Sequence, residues 1–308
     1  SAVQVIVCRA FVQPSLFRRP ETLVPIGRIA RYALPLTTYS LGSLVWTRSD
    51  LLIVKASTPL PATAGFYSSA KDLGALPVSY LIGSFSSLLL ATLTHLWEQG
   101  QNSSAERMGT QTLRVMFWLL PFTALVAGSA TGITTLLYGE SYSPAAPLLS
   151  WLIFAAVGHA VISLGTGMLT ARGRPRLLVF FVLPMATLAV AAYLVVTPRL
   201  GALGTAMART ALSTLGALLV LGLLSRTCGV RLPGGTVVRT GLITTIAYTM
   251  SSVWHTQGLF VIVEMILLSV AVVGGLVMLR ELRGKDVRFA LSILRPKAEN
   301  GAFAIEEE

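Results

Sequence analysis

Residues 43–57 read SLVWTRSDLLIVKAS and place Arg48, Asp50 and Lys55 inside an apolar stretch that begins near Ala33. A helix needs roughly 20 apolar residues to cross about 30 Å of hydrocarbon, and this stretch is long enough. A charge at bilayer depth is costly, and such side chains usually face the interior of a bundle or a water-filled cavity. The stretch therefore predicts a membrane helix with one polar side.

The composition of the whole chain is typical of a membrane protein. Of 308 residues, 54% are hydrophobic and 12% are charged, whereas soluble domains are about a quarter charged. The mean hydropathy is +0.72. No β alternation is visible, so we predict an all-α polytopic membrane bundle of about eight transmembrane helices. The predicted spans are 33–56, 73–95, 115–137, 146–170, 177–197, 201–225, 236–254 and 257–279.

Basic residues are concentrated in alternate predicted loops, and the formal net charge is +11. Because lysine and arginine favour the cytoplasmic side of a membrane, this alternation predicts a multi-pass protein with both termini in the cytoplasm. The charge is thus explained by topology, and we predict no nucleic-acid partner. The basic clusters lie within residues 9–31, 107–114, 172–176, 226–239 and 280–297.

The two cysteines and the chain ends add little chemistry. Cys8 and Cys228 have neither the spacing of a metal site nor that of a redox pair, so we predict inert thiols, no metal and no cofactor. AVQVIVCRAF, residues 2–11, is interpreted as the end of an apolar segment whose beginning is missing. We therefore expect the chain to be a fragment of a longer protein.

Five stretches resemble, in order and spacing, the second half of polysaccharide flippases of the multidrug, oligosaccharidyl-lipid and polysaccharide exporter superfamily. One departure concerns the fifth predicted span, which lacks the asparagine expected from the resemblance. The stretches are RYALPLTTYSLGSLVWTRSDLLIV (31–54), TAGFYSSAKDL (63–73), LLYGESYSPAAPLLSWLIFAA (136–156), GTGMLTARGRPRLLV (165–179) and TPRLGALGTAMARTALSTLGALLVL (197–221).

The resemblance implies a division of the chain into parts. Proteins of this kind have two six-helix lobes around a central cavity, often followed by two further helices. By the resemblance, residues 29–225 form the second six-helix lobe and residues 226–280 hold two additional transmembrane helices. Residues 1–28 would be the end of a truncated helix with a cytoplasmic linker, and residues 281–308 a cytoplasmic tail. The missing N-terminal lobe is then an expected partner.

The resemblance also implies a function, which is transport rather than catalysis. A flippase of the bacterial cytoplasmic membrane would move an isoprenoid-diphosphate-linked oligosaccharide across that membrane by alternating access. Its partners would be the lipid-linked glycan, membrane lipid and other membrane proteins of polysaccharide assembly. A drug or small-molecule exporter of the same superfamily and a non-transporting membrane fragment remain alternatives. A membrane glycan enzyme would need a catalytic cluster, which the short outer loops do not carry.

The first candidate substrate-binding residues lie on the predicted span that contains the opening stretch. Ser43, Thr47 and Asp50 share one helical stripe, and we expect Asp50 to face the cavity. Arg48 lies about 200° around the helix from Asp50. It either extends to lipid headgroups or another helix, or contacts carrier phosphates through its planar guanidinium.

Arg209 is the stronger candidate for contact with carrier phosphates, because it lies near the middle of its predicted span. An arginine there costs about 2.5–3.5 kcal/mol on insertion scales. Small and polar neighbours such as Thr205 and Ser213 share its face, which predicts either close helix packing or a cavity wall. Glu264 and His159 are candidates for ion coupling. Glu264 is expected to be paired or protonated, and His159 serves either packing or proton relay.

Overall fold

The computed structural model describes residues 26–58, 60–254, 258–279 and 281. These residues form helices and turns, and none of them belongs to a strand. The predicted all-α class is therefore confirmed. The interpretations of residues 1–25, with Cys8, and of the tail after residue 281 lie outside the described part of the chain.

The order of elements follows the predicted spans closely. A short 3-10 turn, Glu140–Ala145, joins the fifth helix to the sixth. The helices are α1 Ile26–Ser57, α2 Pro61–Glu98, α3 Asn102–Phe117, α4 Leu119–Gly128, α5 Ala130–Tyr138, α6 Ala146–Ala171, α7 Arg176–Thr227, α8 Gly234–Val253 and α9 Phe260–Met278.

Glycine and proline set several of these helix ends. Pro61 begins α2, where its missing N–H costs no helical hydrogen bond. Gly173 follows α6 with φ of 74°, a left-handed conformation that glycine adopts without steric cost. The next amide, Arg174 N, donates to Leu169 O at 3.2 Å, so the chain turns sharply and the last carbonyls of α6 keep partners.

The longest helix, α7, consists of two consecutive helices that are joined at a kink. α7 has 52 residues, which would extend about 78 Å at 1.5 Å per residue, far more than a bilayer. Gly201 interrupts it with φ 63° and ψ −155°, a backbone conformation that is essentially restricted to glycine. The limbs on either side of Gly201 correspond to the predicted spans 177–197 and 201–225.

Four helical stretches of the described residues are long and apolar enough to cross a membrane, and these stretches indicate a membrane protein. α1, α2 and α8 are not among these stretches. The total of about eight spans therefore stays a prediction. The qualifying stretches are Asn102–Gly128, Glu140–Ala171, Arg176–Thr227 and Phe260–Met278.

α6 lies at the centre of the bundle and packs against α2, α4 and α7. α1 packs along α7, while α8 lies on α4 and α9 lies on both α4 and α8. The main core includes the fully buried side chains of Leu113, Tyr193 and Met168. Helices α1 to α7 thus form one packed unit, to which α8 and α9 attach chiefly through α4.

Turns that the charge pattern assigned to one side of the membrane do gather at one end of the bundle. Arg172, after α6, donates from Nη1 to Asn102 Oδ1 at 2.8 Å and lies 5.4 Å from the ring centre of Trp97. Gly229, after α7, lies against Glu106 at the start of α3. The α2–α3, α6–α7 and α7–α8 turns are therefore neighbours, as the alternation requires.

Candidate functional site

A buried carboxylate, that of Asp50 in α1, is the centre of the main polar cluster. Asp50 has no exposed surface. Lys71 of α2 donates from Nζ to Asp50 Oδ1 at 2.9 Å and to Oδ2 at 3.1 Å. The Tyr67 hydroxyl donates to Oδ2 at 2.9 Å, and the Arg209 guanidinium of α7 also contacts Oδ2. Three helices therefore converge on one side chain.

The backbone of α1 takes part in the same cluster. Thr47 O accepts a hydrogen bond from Lys71 Nζ at 2.8 Å and a longer one from Arg209 Nη1 at 3.4 Å. The Thr47 hydroxyl itself donates to Ser43 O at 2.8 Å. The predicted stripe of Ser43, Thr47 and Asp50 is thus the face on which the cations meet α1.

The break in α7 positions Arg209. The limb that carries Arg209 begins at Gly201, and the Thr197 and Thr205 hydroxyls join across the break at 2.8 Å. Thr205 Oγ1 also lies 3.1 Å from Gly201 O. These contacts satisfy polar groups that the break exposes, and they fix the direction of the limb on which Arg209 sits two turns later.

The cluster carries more positive charge than negative. Lys71 and Arg209 face a single carboxylate, so one positive charge remains uncompensated within it. Asp50 is 0% exposed, while the side chains of Lys71 and Arg209 are 16% and 13% exposed. The carboxylate is therefore internal, and the two cations occupy its accessible edge. A site of this kind attracts an anion.

The expected orientation of Asp50 is wrong. We expected Asp50 to face a hydrated cavity, but its carboxylate is enclosed by Tyr67, Lys71 and Arg209. Burial of a lone carboxylate in a bundle is too costly unless cations and hydrogen bonds surround it, and the bundle supplies both. Arg48 is exposed, as expected for the opposite side of α1, and it is near enough to Lys71 for like charges to repel.

Lys71 and Tyr67 were missed from the sequence. The second span was predicted to begin at residue 73, which placed both residues in a loop, whereas α2 begins at Pro61. The signal that could have found them is the proline itself, which is common at the first position of a helix. Extending the helix back to Pro61 puts Tyr67 and Lys71 four residues apart, on one face.

The two ion-coupling candidates lie in separate environments, and their role stays a prediction. The His159 ring in α6 packs edge-on against Trp46, with ring centres 6.1 Å apart, which agrees with the packing alternative. Glu264 in α9 is 2% exposed and hydrogen-bonded to Ser129. α9 packs on α4 and α8, whereas the Asp50 cluster lies between α1, α2 and α7. The two residues therefore do not form one site.

The remaining chemical candidates are few. Within the described residues, no group of three or more histidine, cysteine, aspartate and glutamate side chains could hold a metal ion. Cys228, just beyond α7, is buried, and burial raises the pKa of its thiol above the ordinary value. A thiol that stays protonated is a poor nucleophile.

These features define a helical membrane protein with a partly exposed, positively charged cluster between its helices. Residues 3–147, just under half of the chain, match the protein family described as "Polysaccharide biosynthesis protein". The match confirms the resemblance to polysaccharide biosynthesis proteins and covers two of the five stretches completely. No curated protein matches the chain. The family points to a role in polysaccharide synthesis or export.

Proposed function

We propose that the chain is the second half of a flippase that moves an isoprenoid-diphosphate-linked oligosaccharide across the cytoplasmic membrane by alternating access. The observation that carries the proposal is the excess positive charge on Lys71 and Arg209 around the single carboxylate of Asp50. A diphosphate carries the complementary charge. Arginine matches a phosphate in shape as well as in charge, because its planar guanidinium binds two phosphate oxygens at once.

Burial supports binding of an anion over a purely structural ion pair. A structural pair needs one cation for one carboxylate, and a second buried cation adds a desolvation cost of several kcal/mol. That cost is tolerated more easily if the second cation has a partner during function. Helices with intramembrane charges generally place them along substrate or ion pathways.

The cluster favours transport over catalysis as the activity. Hydrolysis or glycosyl transfer commonly needs an acid and a base with access to substrate, and the carboxylate of Asp50 has no exposed surface. Lys71 and Arg209 are suited to binding an anionic group and to releasing it when the helices around them move. An anionic cargo also fits this site better than the cationic cargo of many drug exporters.

The test compares Arg209→Ala with Arg209→Lys in a translocation assay for lipid-linked oligosaccharide, at equal protein levels. Arg209→Ala leaves Asp50 paired with Lys71, so the cluster becomes neutral without leaving a bare carboxylate. We expect transport to fall at least tenfold in Arg209→Ala and to recover partly in Arg209→Lys, which restores charge without the fork.

Arg199→Ala is the matched control, because Arg199 lies in the same helix and is exposed. It should transport like the unaltered protein. Lys71→Ala removes the other cation and should also reduce transport, since it neutralises the cluster from the opposite side. Unchanged transport in both Arg209→Ala and Lys71→Ala would remove the cluster from the mechanism.

A further inference from the structure

Two neighbouring cavities of different polarity flank α5. One is an apolar groove of about 660 Å³ between α5 and α9. The other is a polar cavity of about 700 Å³ between α5, the end of α8 and the 3-10 turn. Leu136 of α5 lines both, so the two spaces are adjacent. The described residues that line them include no member of the Asp50 cluster.

The apolar groove has the lining and the length of a site for a lipid acyl chain. Of the ten described residues that line it, nine are aliphatic or methionine, and Ser269 is the exception. Those on α9 extend from Val261 to Val273, which is about 18 Å at 1.5 Å per residue and more than half of a ~30 Å hydrocarbon core. Leu137 and Ile266 are exposed, so the groove can be entered from the bilayer.

Packing between helices does not close the apolar groove. α5 packs on α6 and the 3-10 turn, whereas α9 packs on α4 and α8. The apolar side chains that α5 and α9 turn towards each other therefore face open space. Side chains beside such a space lose the dispersion contacts that partner atoms would give. The methylene groups of one lipid chain would supply those contacts.

The polar cavity lies at the end of the groove where α9 begins. Gly258, two residues before α9, lines the polar cavity, and Val261 lines the groove. Glu140 and Ser143 of the exposed 3-10 turn bring a carboxyl group and a hydroxyl to the polar cavity. Trp254, directly after α8, brings an indole N–H. A headgroup site and a chain site thus follow one another.

The side chains around the two spaces discriminate between lipid headgroups. Among the described residues that line them, none is lysine, arginine or histidine, while Glu140 and Glu264 bring carboxyl groups. An anionic headgroup therefore meets no counter-charge among these residues, in contrast to the Asp50 cluster. A primary ammonium group suits the exposed carboxyl group of Glu140, because it has three N–H donors and charge-assisted hydrogen bonds are strong. A choline headgroup has no N–H donor.

We propose that the apolar groove and the polar cavity together bind one molecule of phosphatidylethanolamine. One acyl chain lies between α5 and α9, the ammonium group contacts Glu140, and the phosphate accepts a hydrogen bond from the indole of Trp254. The bound lipid joins α9 to α5 where no helix interface does so. The proposal does not depend on the cargo of the proposed flippase, so its failure would leave the role of Lys71 and Arg209 untouched.

Native mass spectrometry of the purified, delipidated full-length protein tests the headgroup. Phosphatidylethanolamine, phosphatidylcholine and phosphatidylglycerol with identical acyl chains are offered in equal amounts. We expect the first bound lipid to be phosphatidylethanolamine, with a preference of about tenfold over phosphatidylcholine, the factor of one charge-assisted hydrogen bond. Glu140→Gln should abolish this preference. Glu98→Gln is the control and should retain it, because Glu98 is exposed at the other end of the bundle.

Ile266→Trp tests the chain site, because an indole at this position would occupy the apolar groove. Val263→Trp is the matched control, since Val263 is exposed on the same helix and is not among the residues that line the groove. Phosphatidylethanolamine should be lost from Ile266→Trp and retained by Val263→Trp.

Three results would overturn the proposal. The first is equal binding of phosphatidylethanolamine and phosphatidylcholine to the unaltered protein. The second is equal lipid binding within either matched pair of variants. The third is a preference for phosphatidylglycerol or for an isoprenoid diphosphate added in its place, because that result would assign the site to an anionic lipid.

Discussion

At the residue scale, three charges within a helical bundle depend on one another. Asp50 is the one carboxylate that Lys71 and Arg209 contact in the described structure. The desolvation cost of each cation is offset mainly by this carboxylate, so the loss of Asp50 has a larger effect than the loss of either cation. The stability of α1, α2 and α7 as a unit therefore depends strongly on a single side chain.

We expect Asp50→Asn to destabilise the protein by about 3–5 kcal/mol, because it leaves two partly buried cations without a counter-charge. Thermal unfolding in detergent micelles measures the change. Adding Lys71→Met to Asp50→Asn removes one of the stranded cations and should recover part of the loss. Asp72→Asn is the control, since Asp72 is exposed one position beyond Lys71. An equal unfolding temperature for Asp50→Asn and Asp72→Asn would contradict this account.

At the scale of elements, glycines allow the central helix to approach its neighbours. Gly158 of α6 faces Ser213 of α7, and a Cβ added at Gly158 would lie 3.0 Å from the Ser213 backbone C and O atoms. Gly167 of the same helix has no atom within 4 Å of its added Cβ. Small residues at helix interfaces let backbones pack closely in membranes, and here Gly158 serves that role while Gly167 does not.

Gly158→Ala should therefore lower the stability by about 1–3 kcal/mol, the usual effect of overpacking, because the contacted atoms are backbone and cannot rotate away. Gly167→Ala should be neutral, or stabilising by up to about 1 kcal/mol through its higher helix propensity. The pair shares a helix, a substitution and a method, namely thermal unfolding in detergent. Equal effects of the two substitutions would show that the α6–α7 contact is looser than described.

At the scale of the whole molecule, the sequence predicted what depends on composition and local pattern. The all-α class and the break between the fifth and sixth predicted spans follow from apolar length and from glycine, both of which act locally. The partners of Asp50 could not be predicted, because Lys71 and Arg209 come from distant helices and only packing brings them together. Glu281 illustrates the same limit, since it accepts hydrogen bonds from Arg114 at 2.8 Å and Thr236 at 3.1 Å across three elements.

Charge asymmetry between the ends of the bundle predicts its orientation in the membrane. The end that contains Arg172 and the α2–α3 turn is rich in arginine, whereas the other end carries Glu140 and aromatic contacts such as Phe66 with Tyr142, 5.3 Å apart. Arginine-rich loops are retained in the cytoplasm. We therefore expect the Arg172 end to face the cytoplasm and the Glu140 end to face outward.

Labelling of single cysteines measures this orientation. Cys8 and Cys228 are first replaced by serine, and one new cysteine is then introduced at a time. Ser143→Cys, at the Glu140 end, should react with a membrane-impermeant maleimide in intact spheroplasts. Ser103→Cys, in the exposed first turn of α3, should react only after permeabilisation. Arg231→Cys, beyond α7, should behave like Ser103→Cys, because the α7–α8 turn lies at the same end. Labelling of Ser103→Cys in intact spheroplasts, with protection of Ser143→Cys, would reverse the assignment.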